Sequence, residues 1–158
     1  MNREIKFRAW HKYLKKMYNV CILNMENKFV GLEGFERDCK EALGGISYGC
    51  DLEFVELMQY IGLKDKKRTK EFPEGQEIYD GDIADIRYFG GGHTKDIFTP
   101  CICKFGEIYS GTDGELSIGF YFEQIAEPHN VFSMENVEVI GNVWENPELL
   151  KEIRNEKI

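Results

Sequence analysis

The sequence predicts a mostly β (α+β) protein: an N-terminal β-α portion followed by a small SH3-like β-barrel with a short C-terminal helix. Three observations lead there. Aromatic residues make up 13% of the 158 positions, eleven of them Phe and eight Tyr, alongside sixteen Gly. Aromatic side chains suit pleated surfaces, and glycines suit tight turns. Inside the chain a single stretch carries a helical apolar stripe, whereas the second half alternates apolar and polar residues in short runs separated by turn signals.

Ile5, Phe7 and Ala9 alternate with Lys6 and Arg8, which predicts a half-buried strand ending near Trp10. Residues 11–16 are polar enough for a turn, and residues 17–23 resume a strand, so a hairpin opens the chain. Phe35, Cys39, Ala42 and Leu43 follow at i, i+4, i+7 and i+8, one stripe of a helix that Gly44-Gly45 stops. Residues 50–61 read as another strand. Its alternation slips between Phe54 and Val55, which predicts a bulge or burial on both faces.

Residues 64–76 form a charged connection containing Pro73 and Gly75. It divides the chain into an N-terminal β-α subdomain, 1–63, and a barrel subdomain with the terminal helix, 64–158, unless the two merge into one compact unit. Asp80-Gly81-Asp82 is a turn, and Ala84, Ile86 and Tyr88 then alternate with Asp85 and Arg87. Gly90-Gly91-Gly92-His93 is a loop. Residues 97–109 form a strand in which Pro100 predicts an edge position or a bulge. After a turn at Thr112-Asp113-Gly114, Leu116, Ile118, Phe120 and Phe122 give the cleanest alternation in the chain. Residues 137–144 supply the last strand. Asn146-Pro147-Glu148 then opens a helix with a capping side chain, a first-turn proline and a carboxylate at the positive dipole end. Leu149, Leu150 and Ile153 dock it. Barrel closure would remove the sheet edges that otherwise invite aggregation.

A chain of this length buries roughly 68–70% of its unfolded surface, enough for a core without staples. The net charge of −8 argues against general coating of nucleic acid or anionic membrane. The charge is nonetheless uneven. Residues 1–20 carry six basic residues against Glu4 alone, and Lys64, Lys66, Lys67, Arg68 and Lys70 form a second basic knot. Five cysteines, an odd count, do not make a disulfide scaffold. The opening residues are unlike a signal peptide, and no apolar run approaches the roughly 20 residues that span a bilayer. The expected setting is the bacterial cytoplasm, with reduced thiols and no membrane partner.

Three blocks carry more information than composition does. They are Ile5-Lys6-Phe7-Arg8-Ala9-Trp10, then Leu57-Met58-Gln59-Tyr60-Ile61-Gly62-Leu63-Lys64-Asp65 leading to Glu77-Ile78-Tyr79-Asp80-Gly81-Asp82-Ile83, and finally Val139-Ile140-Gly141-Asn142-Val143-Trp144-Glu145-Asn146-Pro147-Glu148-Leu149-Leu150. In this order they resemble the YopX family of small phage and prophage proteins. The resemblance implies a mostly β protein of phage or prophage origin and brings no established activity with it. The chain departs from the family pattern at Ile61, where most relatives have Thr, and at His11, where they have an acid. Its connection through Phe72-Pro73 is also longer.

Candidate chemistry is sparse. Cys101 and Cys103 point to one side of a strand and would need Cys39, Cys50, His93 or His129 to complete a zinc site. Cys-x2-Cys spacing is absent, so two thiols packed in a core are expected, with no metal and no cofactor. Neither Ser47 nor Ser110 sits in a nucleophile elbow. The pairs Asp80 and Asp82, and Asp113 and Glu115, lie in glycine turns where acceptors serve the backbone. The glycine run at residues 90–92 lacks a P-loop ending. Arg8, Trp10, Gln59, Tyr60, Lys64, Lys66 and Lys67 are the candidate binding residues. The leading expectation is a non-enzymatic binding or regulatory module acting through protein contacts, also as a homo-oligomer. Single-stranded nucleic acid on the basic and aromatic residues is the alternative.

Overall fold

The computed structural model describes residues 4–88, 97–109, 116–126, 130–131 and 136–155. The chain divides into two compact units, Met1–Tyr60 and Ile61–Ile158.

In the first unit β1 (Phe7–His11), β2 (Lys16–Asn24), β3 (Phe29–Leu32), β4 (Gly49–Asp51) and β5 (Val55–Lys64) form an antiparallel sheet in the order β4-β3-β2-β1-β5, with β5 running across the unit boundary. Ala9 of the central β1 lies opposite Tyr18 on one side and Leu57 on the other. Its small side chain leaves room there for a helix, α1 (Phe35–Leu43), to approach. Ala9, Tyr18, Val30, Leu32, Phe35, Cys39 and Val55 make the core, with Tyr18 edge-on to Phe35 at 5.6 Å.

The predicted helix is present, and Gly44 ends it with its N–H bonded to Lys40 O. The stripe is only half covered: Phe35 and Cys39 are buried, whereas Ala42 and Leu43 are exposed. The expected single strand 50–61 is two strands. A 3-10 turn, Leu52–Phe54, separates β4 from β5 at the place where the alternation slips. A turn consumes the odd residues that a bulge was expected to absorb.

The second unit contains β6 (Glu77–Tyr79), β7 (Asp82–Tyr88), β8 (Ile97–Tyr109), β9 (Leu116–Gln124), β10 (Asn130–Val131), β11 (Val137–Asn142) and α2 (Pro147–Asn155). Its antiparallel sheet runs β10-β9-β8-β7-β11. Ile61, Ile78, Ala84, Ile86, Cys101, Cys103, Phe122, Val137 and Val139 form the core. Leu149, Leu150 and Ile153 are half-buried along α2.

The architecture is thus mostly β, with two antiparallel sheets and a short C-terminal helix. The expected SH3-like closure is missing among the described residues: β10 and β11 stand at the two ends of the strand order and do not pair, so the sheet is open. Pro100 also differs from expectation, since it lies in β8, which has β7 and β9 on its two sides. Ile125 N–H donates to Pro100 O, so the imide nitrogen faces the β9 side. β9 stops at Gln124, opposite Cys101, so the missing N–H falls where the ladder has run out. The loop at residues 90–93 and the turn at residues 112–114 lie outside the described residues.

The connection 64–76 is folded onto the sheet by one buried carboxylate. Asp65, 2% exposed, accepts the Gln76 N–H at 2.8 Å through Oδ1 and the Val139 N–H at 3.1 Å through Oδ2. Lys66 N–H donates to Val137 O beside it at 2.9 Å. Asp82 takes the Tyr79 N–H at 2.7 Å across a turn in which Gly81 holds φ 82°, a left-handed value that L side chains resist. Asn142 Oδ1 accepts the N–H groups of Trp144 and Glu145, and Asn146 Oδ1 accepts that of Asn142.

Replacing Asp65 by Ala strands one buried donor and one part-buried donor, so Asp65→Ala should cost about 2–3 kcal/mol of unfolding free energy. Urea denaturation followed by circular dichroism measures it. A change near zero would mean that the connection is held by something else.

Candidate functional site

A concavity in the first unit lies over the uncovered end of the α1 stripe. It encloses about 270 Å³, walled by His11, Phe35, Cys39, Cys50 and Phe54, with Tyr13 and Leu43 also lining it. Each wall has a local cause. The hairpin turn after β1 lifts Tyr13 over Phe54, their rings edge-on at 5.8 Å. Helix α1 supplies Phe35, Cys39 and Leu43 at four-residue spacing, so all three meet the same space. The 3-10 turn brings Phe54. Tyr13 and Leu43 are exposed, as are Ile46 and Tyr48 in the segment between α1 and β4.

Two titratable groups here, His11 and Cys50, are held neutral. His11 is buried, and its Nδ1 accepts the Leu14 N–H at 3.1 Å, which puts a neutral ring's proton on Nε2. Burial lowers its pKa below 6.5. Burial likewise pushes the Cys50 thiol up to about 11, with the Asp51 carboxylate adding to the effect. Nucleophilic chemistry needs the opposite shift.

A second, polar hollow of about 350 Å³ is also in the first unit, lined by residues that include Lys16, Tyr18, Arg37 and Asp38. Lys16 Nζ and the Tyr18 hydroxyl both donate to Asp38 Oδ2 at 2.7 Å. These bonds lower the Asp38 pKa, while burial and the Asp38 carboxylate raise that of Tyr18. The cluster is satisfied within itself.

The binding residues expected from sequence fall into two sets. Arg8, Trp10, Gln59 and Tyr60 are in the first unit. Trp10 is 8% exposed, Arg8 and Tyr60 are equally enclosed, and Gln59 is half-buried opposite Phe7. Arg8 Nη2 lies 3.7 Å from Met58 Sδ, and Lys6 Nζ sits over the Tyr60 ring. Lys64, Lys66 and Lys67 are exposed in the second unit, where Lys67 reaches Glu138 at 3.8 Å. Lys64 and Lys66 line a small hollow with Ile78, Phe122 and Val137.

The two core thiols share one face, as their spacing implies. Cys101 and Cys103 are fully buried, Cys101 Sγ donates to Thr99 O at 3.4 Å, and burial pushes its pKa up to about 12. No group of three or more His, Cys, Asp or Glu residues that could hold a metal occurs among the described residues. His93 and His129 lie outside them. The paired acids Asp80 and Asp82 stand at the β6–β7 turn, and burial raises the Asp80 pKa.

Sequence reasoning missed the apolar hollow because its walls come from five separate segments. One signal for it was readable: a helix whose last stripe residue, Leu43, is followed within five positions by Ile46 and Tyr48.

A family model described as YopX protein matches residues 6–151. The crystal structure of protein EF1440 from Enterococcus faecalis superposes with a TM-score of 0.54 at 24% identity, over 94% of this chain and 99% of the other. That likeness concerns the fold alone. No curated protein matches the chain.

Two measurements follow from the burial of the thiols and of the imidazole. Native alkylation at about pH 8, read by mass spectrometry, should label exposed Cys21 and spare the other four cysteines until unfolding; rapid labelling of Cys50 would contradict its assigned environment. The folded-state pKa of His11 is depressed, so the unfolded chain binds a proton first as pH drops below 6.5. The His11 contribution is therefore complete above that pH and is lost on acidification below it. His11→Gln should flatten that part of the stability curve, and an unchanged slope would count against a buried neutral ring.

Proposed function

We propose, for a chain that belongs to the YopX family, a non-enzymatic role as a binding or regulatory module that works through protein contacts. The apolar hollow of the first unit carries this reading. Small-molecule sites usually enclose about 300–1,000 Å³ and include a few convergent polar groups. At about 270 Å³, with its histidine and Cys50 held neutral, this one suits a single large apolar side chain presented by a protein segment. Exposed Tyr13, Leu43, Ile46 and Tyr48 supply the surrounding apolar surface. Aromatic and aliphatic anchors seated in such pockets dominate interface energies.

Single-stranded nucleic acid is the weaker reading. Base stacking needs an open ring face, and Trp10 offers almost none. The exposed Lys64, Lys66 and Lys67 are ordinary for a solvated connection. Residence in the cytoplasm of a bacterium carrying a prophage belongs to the same proposal and rests on the family resemblance.

The test compares the tagged full chain with Leu43→Lys and with Lys66→Glu/Lys67→Glu, after nuclease treatment of the cell extract. Leu43 is exposed at the end of α1, where a cation suits the helix dipole, so the variant should fold. A protein partner retained by the wild type and by the lysine variant, yet lost about tenfold or more with Leu43→Lys, is the expected outcome. Retention of nucleic acid that depends on the lysines and ignores Leu43 would overturn the reading.

A further inference from the structure

We infer that the apolar hollow of the first unit takes a tyrosine side chain of its protein partner, with the phenol oxygen accepting a hydrogen bond from His11 Nε2. The inference rests on the docking role proposed above and names the chemistry of the anchor. It begins with a donor that the fold leaves over. His11 ends β1, and its Nδ1 accepts the Leu14 N–H at 3.1 Å within the following turn. A neutral ring then carries its hydrogen on Nε2. That N–H has no hydrogen-bond partner among the described residues, although His11 is only 4% exposed. Buried donors left unpaired are costly and rare. The ring lines the hollow, with the Phe35 ring 5.3 Å and the Tyr13 ring 6.3 Å away, so the hollow is where an acceptor for Nε2 must arrive. All its walls lie within residues 11–54, a stretch described without a break.

The rest of the lining narrows the choice. Phe35, Phe54 and Tyr13 surround the space with rings, which pack well against another ring. The acceptor must be neutral, because no Lys or Arg lines the hollow among the described residues and burial disfavours a charged His11. A carboxylate or phosphate would enter without a counter-charge. Phe and Leu bring no acceptor, Met brings only a weak one, and an indole N–H would meet Nε2–H as a second donor. Phenol remains, an aromatic body with one oxygen. Ser47, also in the lining, gives its hydroxyl hydrogen to Gly49 O at 2.6 Å and is left an acceptor, which a phenol O–H needs.

The surroundings favour a tyrosine carried by a chain over a free phenol. Exposed Leu43, Ile46 and Tyr48 extend the apolar surface beyond the hollow. A free phenol would leave that surface in water, whereas apolar neighbours of a tyrosine in a protein segment would cover it.

Nuclear magnetic resonance titration of the full chain tests the inference with three probes: capped Leu-Tyr-Leu, capped Leu-Phe-Leu and free p-cresol. The tyrosine peptide should shift the amides of Leu14, Cys39 and Cys50. It should bind about tenfold more tightly than the phenylalanine peptide, the worth of one hydrogen bond, and more tightly than p-cresol. His11→Phe keeps a ring in the wall and removes the donor, so the two peptides should then bind equally. The wild-type comparison decides by itself if that variant unfolds. Equal binding of the two peptides by the wild type, or a preference that survives His11→Phe, would overturn the inference and leave the Leu43-dependent docking intact. Binding of p-cresol with exclusion of the tyrosine peptide would make the hollow a small-molecule site and overturn it as well. Silence from all three probes at millimolar concentration would do the same.

Discussion

The second unit hangs on a carboxylate placed where water cannot reach it. Asp65 lies at the end of one strand, and the two amides it binds belong to Gln76 and to Val139, the latter 74 residues away in sequence. A buried charge is tolerable only when several donors face it, so those two N–H groups and the carboxylate fix one another. The neighbouring bond from Lys66 N–H to Val137 O leaves the connection little freedom. Through this contact the residues following β5 are bound to the edge strand β11.

Asp82 and Asn142 repeat the device on a shorter scale, each satisfying backbone amides at a turn. All three lie in the segments through which the chain resembles its family. Their side-chain oxygens accept backbone N–H groups, so residues suggestive of chemistry serve the fold here. Exposed apolar side chains gather elsewhere, around the hollow beside α1 and on β8 and β9, where Phe105, Leu116 and Ile118 reach water.

Much of this was legible in the sequence where a local rule acts alone. The alternation in β1 and β9, the stripe and glycine stop of α1, and the Asn-Pro-Glu start of α2 are each decided by a few adjacent residues. Failures came where tertiary context decides. β3 is four residues long, contains Gly31 and showed no alternation to read. The slip at Phe54 and Val55 is a helical turn, a solution that periodicity does not distinguish from a bulge. Pro100 tolerates a central strand only because β9 ends beside it. Barrel closure was inferred from the cost of free edges, yet the described strands leave edges open. The chemistry of Trp10 and Arg8 marks them as candidate binding residues, and their burial depends on what packs over them. The hollow was illegible for the same reason, since its walls meet only after folding.

The most direct measurement is native-state hydrogen exchange at the amides of Gln76 and Val139. If Asp65 clamps them, both should exchange only through global unfolding, as slowly as the amides of β8 at the centre of the sheet. Exchange of Gln76 at rates typical of an open loop, with Val139 fraying alongside it, would contradict the account and leave the second unit without its anchor.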